Sequence, residues 1–79
     1  MNNSNNICFV LISCDERFVQ DIIEEIKSID SVIDAQHVQG MYDIIVQLET
    51  SNDSLKEIVQ TKIRYVDGIH STLTLLGTS

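Results

Sequence analysis

A chain of 79 residues has room for one domain and one core, and at this size folding buries only about 60% of the surface, so partners, metals or disulfides usually add stability. The 43% apolar content excludes a disordered chain, and two cysteines, Cys8 and Cys14, are too few for a disulfide framework. A net charge of −7, with only Arg17, Lys27, Lys56, Lys62 and Arg64 as scattered cations, excludes the basic stripe that nucleic acid or an anionic membrane demands.

Residues 1–6 are polar and read as a frayed tail before a single domain over 7–77. They lack the cationic region of a secretory signal, and no stretch of 18 apolar residues follows, so the expectation is a cytoplasmic, thiol-reduced protein. Ile7 to Ser13 is a run of β formers too short for a preferred helix. Asp15 stands at a helix N-cap with Glu16 in the first turn. Phe18, Val19, Ile22, Ile23, Ile26 and Ile29 then recur on one helical face, opposite Gln20, Asp21, Glu24 and Lys27. The acidic residues of this segment, from Asp15 to Glu25, read as a solvated helix face.

Val32 to Gln39 is a more polar strand, and Gly40 predicts a hairpin turn into a third strand over Met41–Glu49. Ser51-Asn-Asp-Ser54 offers several capping oxygens, and Ser54 with Glu57 is a candidate capping box. Leu55, Ile58, Val59, Ile63 and Val66 mark a second amphipathic helix, stopped by Asp67-Gly68. Ile69 to Leu76 is the last strand. The order βαββαβ defines an α+β, ferredoxin-like sandwich with an antiparallel sheet ordered 4-1-3-2, the apolar strands 1 and 3 being central. Two helices cover one face of such a sheet. The other face keeps part of the apolar set, with Ile45 and Met41 as candidates, and predicts dimerisation through it.

The segments Gly40-Met-Tyr-Asp-Ile-Ile-Val46 and Asp67-Gly-Ile-His-Ser-Thr-Leu-Thr-Leu75 resemble the effector-binding (RAM) domain of Lrp/AsnC transcriptional regulators, and the match runs from about Ile7 to Leu76. The resemblance implies dimers paired sheet against sheet, higher ring-like oligomers, and a small-molecule effector, generally an amino acid, held between dimers. It implies that the loop with the Gly-x-Tyr-Asp motif lines that cleft and that polar residues of the last strand close it from a neighbouring subunit. Family members carry an N-terminal helix-turn-helix, whereas six polar residues precede the first strand here. A stand-alone module is therefore expected, acting on its own or with full-length Lrp/AsnC regulators.

The candidate ligand-binding residues are Gly40, Met41, Tyr42, Asp43, Ser71, Thr72 and Thr74. Gly40 either lets a ligand approach the backbone or simply serves the turn. Met41 reads better as interface packing than as a ligand contact. Tyr42 either closes a pocket or packs half-buried. Asp43, beside Ile44-Ile45-Val46, needs a partner, which is either the ammonium of an amino acid or a local backbone group. Ser71, Thr72 and Thr74 either donate to a ligand carboxylate or are ordinary edge-strand residues.

For metals, Cys8 and Cys14 lie roughly 20 Å apart along one strand, leaving His37 and His70, which can converge only across a subunit interface. No cofactor and no catalytic residue is expected, since no nucleophile stands beside a base. The alternatives to a sensor are a metal-binding oligomer with inter-subunit histidines and a small dimeric α+β barrel enzyme. An ACT-type amino-acid sensor shares the element order, but Cys14-Asp-Glu-Arg17 lacks the Gly or Pro usual in its first loop. Heavy-metal-associated domains are excluded by the absence of Cys-x-x-Cys.

Overall fold

A computed structural model describes residues 6–76. Four strands, β1 (Asn6–Cys14), β2 (Val32–His37), β3 (Ile44–Thr50) and β4 (Ile69–Leu75), form one sheet ordered β2-β3-β1-β4. All neighbours are antiparallel, which is the ferredoxin-like arrangement expected from the sequence. Helices α1 (Val19–Lys27) and α2 (Asn52–Ile58) complete the βαββαβ order.

The core follows from strand alternation, because successive side chains of a strand point to opposite faces. Cys8, Val10, Ile12 and Cys14 of β1 and Ile44, Val46 and Leu48 of β3 are buried on the helix side. They meet Val19, Ile22, Ile23 and Ile26 of α1, Leu55, Val59 and Ile63 of the second helical segment, and Val66 in the turn after it. That segment ends at Ile63, before the expected stop at Asp67-Gly68. On the other side Phe9, Leu11 and Ile45 remain half-buried, and Ile7, Leu73 and Leu75 are 42%, 43% and 46% exposed.

Asp15 caps the first helical segment as expected: its carboxylate accepts from the Arg17 amide at 3.0 Å, opening a single 3-10 turn that leads into α1. Of the capping oxygens that residues 51–54 offer, the first takes the role and the candidate capping box does not form. Ser51, not Ser54, is the N-cap, its hydroxyl accepting from the Ser54 amide at 3.2 Å. The helix thus begins one turn earlier and places Ser54 inside it. After Ile58 the helix widens into a π turn over Val59–Ile63, closed by the Arg64 amide on the Val59 carbonyl at 3.0 Å. Leu55, Val59 and Ile63 recur every four residues, an overshoot of about 40° per step on an ordinary helix. The wider turn absorbs that drift and keeps all three side chains inside.

The hairpin between β2 and β3 is wider than expected. Instead of strands reaching Gln39 and resuming at Met41, a loop of residues 38–43 separates them, closed by the Val38 amide on the Asp43 carbonyl at 2.8 Å. Met41 sits on that loop, 91% exposed, and so is not part of the open sheet face as anticipated. A bulge between Val32 and Asp34 turns Ile33 outward to 50% exposure.

Ile26 is fully buried on α1's inner face, near its C-terminal end. Ile26→Ala should lose about 2–5 kcal/mol and lower the melting midpoint by about 4–8 °C per kcal/mol in a domain this small. The Arg17 side chain and amide, hydrogen-bonded to Asp15, hold its carboxyl down at about 2. A depressed carboxylate pKa contributes stability above the unfolded value of about 4, and this contribution is lost as pH falls through the folded value. Melts of Asp15→Asn and the parent chain should therefore converge between pH 4 and pH 2.

Candidate functional site

One end of the sheet gathers the loop of residues 38–43, the end of β1, the start of β4 and the entry to α1. Asp43 fastens these parts together. Its amide donates to the Ile12 carbonyl at 2.8 Å, its carbonyl accepts from Val38, and its carboxylate Oδ2 accepts from the Cys14 amide at 2.9 Å. The Cys14 amide lies beyond the last β1–β3 pair, Ile12 with Ile44, and so takes its acceptor from the loop. On the other side of β1 the register with β4 shifts, His70 being the extra residue. The next residue returns to the ladder's neighbourhood, the Asp15 amide donating to the Gly68 carbonyl at 3.2 Å.

Asp43 is half-buried, and among the described residues its hydrogen bonds engage only one carboxylate oxygen. The carboxylate thus has a backbone partner, although a distant one in sequence, with its second oxygen available. Ser13 pairs with Ser71 across β1 and β4, on the open face of the sheet. Asp43, on the loop entering β3, bonds to Ile12 and Cys14 on either side of Ser13, so Asp43, Ser13 and Ser71 form a polar row about 10 Å across at the end of the apolar stripe. Sequence reading did not single out Ser13. It terminates an apolar run, and only the β1–β4 register reveals its partner.

Gly40 has φ +146, a conformation unfavourable for residues with a Cβ, although open space surrounds the position. It thus serves the loop's backbone geometry and not a close approach within the chain. Tyr42 is half-buried. Thr72 and Thr74 stand opposite Ile12 and Val10, which point to the helices. They therefore leave the sheet on the side away from Ser71. Thr74 lines a groove with Lys56, Val59, Gln60 and Leu76. Within one subunit the candidate set is divided: the loop and Ser71 lie together, while Thr72 and Thr74 do not join them.

Burial, then the nearby Asp43 and Asp15 carboxylates, push the Cys14 thiol up, so it stays protonated and is neither a reactive nucleophile nor a ready metal ligand. His37 and His70 are exposed on the two edge strands, three interstrand spacings apart, or roughly 14 Å. Among the described residues no three His, Cys, Asp or Glu side chains are grouped to share a metal ion, and no helix is long and apolar enough to cross a membrane.

A split βαββαβ sheet with one naked apolar face and a structured loop at its end defines a small regulatory or ligand-binding module. The sequence model of the Lrp/AsnC ligand binding domain matches residues 7–78, and the chain belongs to that family. It is 31% identical over 72 residues to the regulatory protein AsnC of Haemophilus influenzae, covering 89% of this chain and 48% of AsnC, so it spans about half that relative's length. It is also 31% identical over 74 residues to homocitrate synthase of Sulfolobus acidocaldarius, covering 91% of this chain but 16% of the synthase. Among solved structures, TTHA0845 from Thermus thermophilus superposes with a TM-score of 0.88 at 28% identity, over 94% of both chains.

Replacement of Asp43 separates its structural and ligand roles. Asp43→Ala leaves the Cys14 amide without an acceptor and should destabilise by about 1–3 kcal/mol. Asp43→Asn keeps an acceptor oxygen and should retain most of the melting midpoint. Equal losses in calorimetric melts would mean that the charge, not the hydrogen bond, holds the loop.

Proposed function

We propose that this domain is a non-catalytic sensor, which binds an amino acid or a related small molecule at the loop of residues 38–43 and assembles sheet to sheet through its open face. The observation that carries this reading is the junction of an apolar sheet face with the polar row Asp43, Ser13 and Ser71. The free oxygen of Asp43 suits an α-ammonium group through a charge-assisted hydrogen bond. The hydroxyls of Ser13 and Ser71 suit a carboxylate. Gly40, Met41 and Tyr42 form the outer wall, and Thr72 and Thr74 would contribute only from a neighbouring subunit.

Membership of the Lrp/AsnC ligand-binding family and similarity to a regulatory protein support sensing over catalysis. The homocitrate synthase match supports it too: a domain equal to 16% of that enzyme is better suited to responding to a metabolite than to carrying its chemistry. Assembly supplies regulation, because a ligand bound between dimers favours the associated form by mass action. A full-length Lrp/AsnC regulator, joined through the same open face, is the natural macromolecular partner.

Calorimetric melts against the amino acids and divalent metal ions test the reading. An effector at ten times its dissociation constant adds about 1.4 kcal/mol, or roughly 6–10 °C for a domain this size. The shift should appear with one or a few amino acids and vanish in Asp43→Asn, while Phe9→Asp on the open face should yield monomers by light scattering. A shift with metal ions alone would replace the amino-acid site by inter-subunit His37 and His70. No shift with any compound would reject the sensor.

A further inference from the structure

A second concavity lies on the helix side of the sheet, away from the polar row. Phe18, Asp21, Ile22 and Glu25 of the α1 segment form one wall, and Val66, Asp67 and Gly68 form the other. Its floor is apolar, with Ile22 2% and Val66 6% exposed, and Phe18, 43% exposed, stands at its side. Gly68 is required here on two counts: its φ is +94, and a Cβ would lie 3.3 Å from Ile22 and 3.4 Å from Phe18. The glycine therefore lets the two walls close to their present separation.

The rim carries three carboxylates, Asp21, Glu25 and Asp67. The two ion pairs among the described residues, Arg17–Asp15 and Lys27–Asp34, involve none of them. Asp21 and Glu25 are four residues apart on one helix face, a like-charge spacing that destabilises a helix. Phe18 already attracts one guanidinium, that of Arg17, at 5.4 Å from its ring centre. An apolar floor, an aromatic wall and an uncompensated acidic rim together complement a cation on an apolar stem.

We propose that this groove docks an arginine or lysine side chain of a partner polypeptide. Its volume of about 200 Å³ is below the roughly 300–1,000 Å³ of pockets for drug-sized ligands and suits one inserted side chain. Exposed carboxylates hold a free cation weakly, so the partner's backbone and neighbouring residues must supply the remaining contacts. Tyr65, 78% exposed beside Val66, offers such a contact. The chain's net charge of −7 adds long-range attraction for a basic partner.

The test is an amide NMR titration of the ¹⁵N-labelled full chain with the peptide acetyl-Gly-Leu-Arg-Leu-Arg-Gly-amide. Saturable shifts should be confined to residues 18–25 and 65–68. The citrulline analogue of the peptide should give none. The double variant Asp21→Asn, Glu25→Gln, with an unchanged melting midpoint, should bind at least about threefold more weakly. Unchanged affinity in that variant, shifts centred on other acidic residues, or absence of binding at millimolar peptide would overturn the proposal. Equally tight binding of N-acetyl-arginine amide would overturn it as well, by making the groove a small-cation site instead of a docking surface.

Discussion

Central strand β1 is apolar on both faces while the chain supplies helices for only one, and much of the molecule follows from that imbalance. Cys8, Val10 and Ile12 are sealed against α1 and the second helical segment. Phe9 and Leu11, on the same strand, are left with Ile45, Leu73 and Leu75 as neighbours and, among the described residues, no layer above them. Completing the burial of Ile7 and these five side chains would contribute roughly 3–9 kcal/mol per subunit. A domain of this length has a total stability of about 4–12 kcal/mol. The uncovered face is thus comparable in worth to the fold itself.

The same central position of β1 places the candidate site. Because β1 pairs with both β3 and β4, its C-terminal end meets the loop of residues 38–43 on one side and Ser71 on the other. Pairing with β3 ends at Ile12 and Ile44, two residues before the Cys14 amide, and Asp43 supplies the acceptor there. The loop is consequently tied to the sheet by its last residue while its tip, Gly40-Met41, projects into open space. An anchored base with a free tip suits a loop that must keep its position yet meet a ligand or a neighbouring subunit.

Element order and sheet order were legible because they depend on composition and periodicity: the α1 face from Val19 to Ile26 and the apolar centres of β1 and β3 leave little choice. What was hidden depends on register and on competition for backbone hydrogen bonds. Ser54 and Glu57 satisfy the capping-box pattern, but Ser51 lies one turn earlier with an equally good oxygen and takes the role. Gly40 suggests a tight turn, yet Asp43 bonds to β1 and to Val38 and so fixes a wider loop. Met41 looked like a sheet residue only under the tighter turn. Parity along β4 separates Ser71 from Thr72 and Thr74, and which of them shares the open face is fixed by the pairing with β1, Ser71 lying opposite Ser13. Asp43 was identified as needing a partner, and the partner is an amide 29 positions away in sequence.

The two oxygens of Asp43 bear on how such a loop would respond to an effector. One is committed to the Cys14 amide, so a ligand's ammonium at the other would not have to break a protein hydrogen bond or reorder the loop. A site of this kind binds without large rearrangement, since most of its entropy has been removed in folding. The response must then come from elsewhere than the loop's own shape. In the proposed assembly it comes from the ligand filling a space bounded by two subunits, so that affinity and association rise together. The device needs no moving part within the subunit, only a polar row at the edge of a face that already favours being covered.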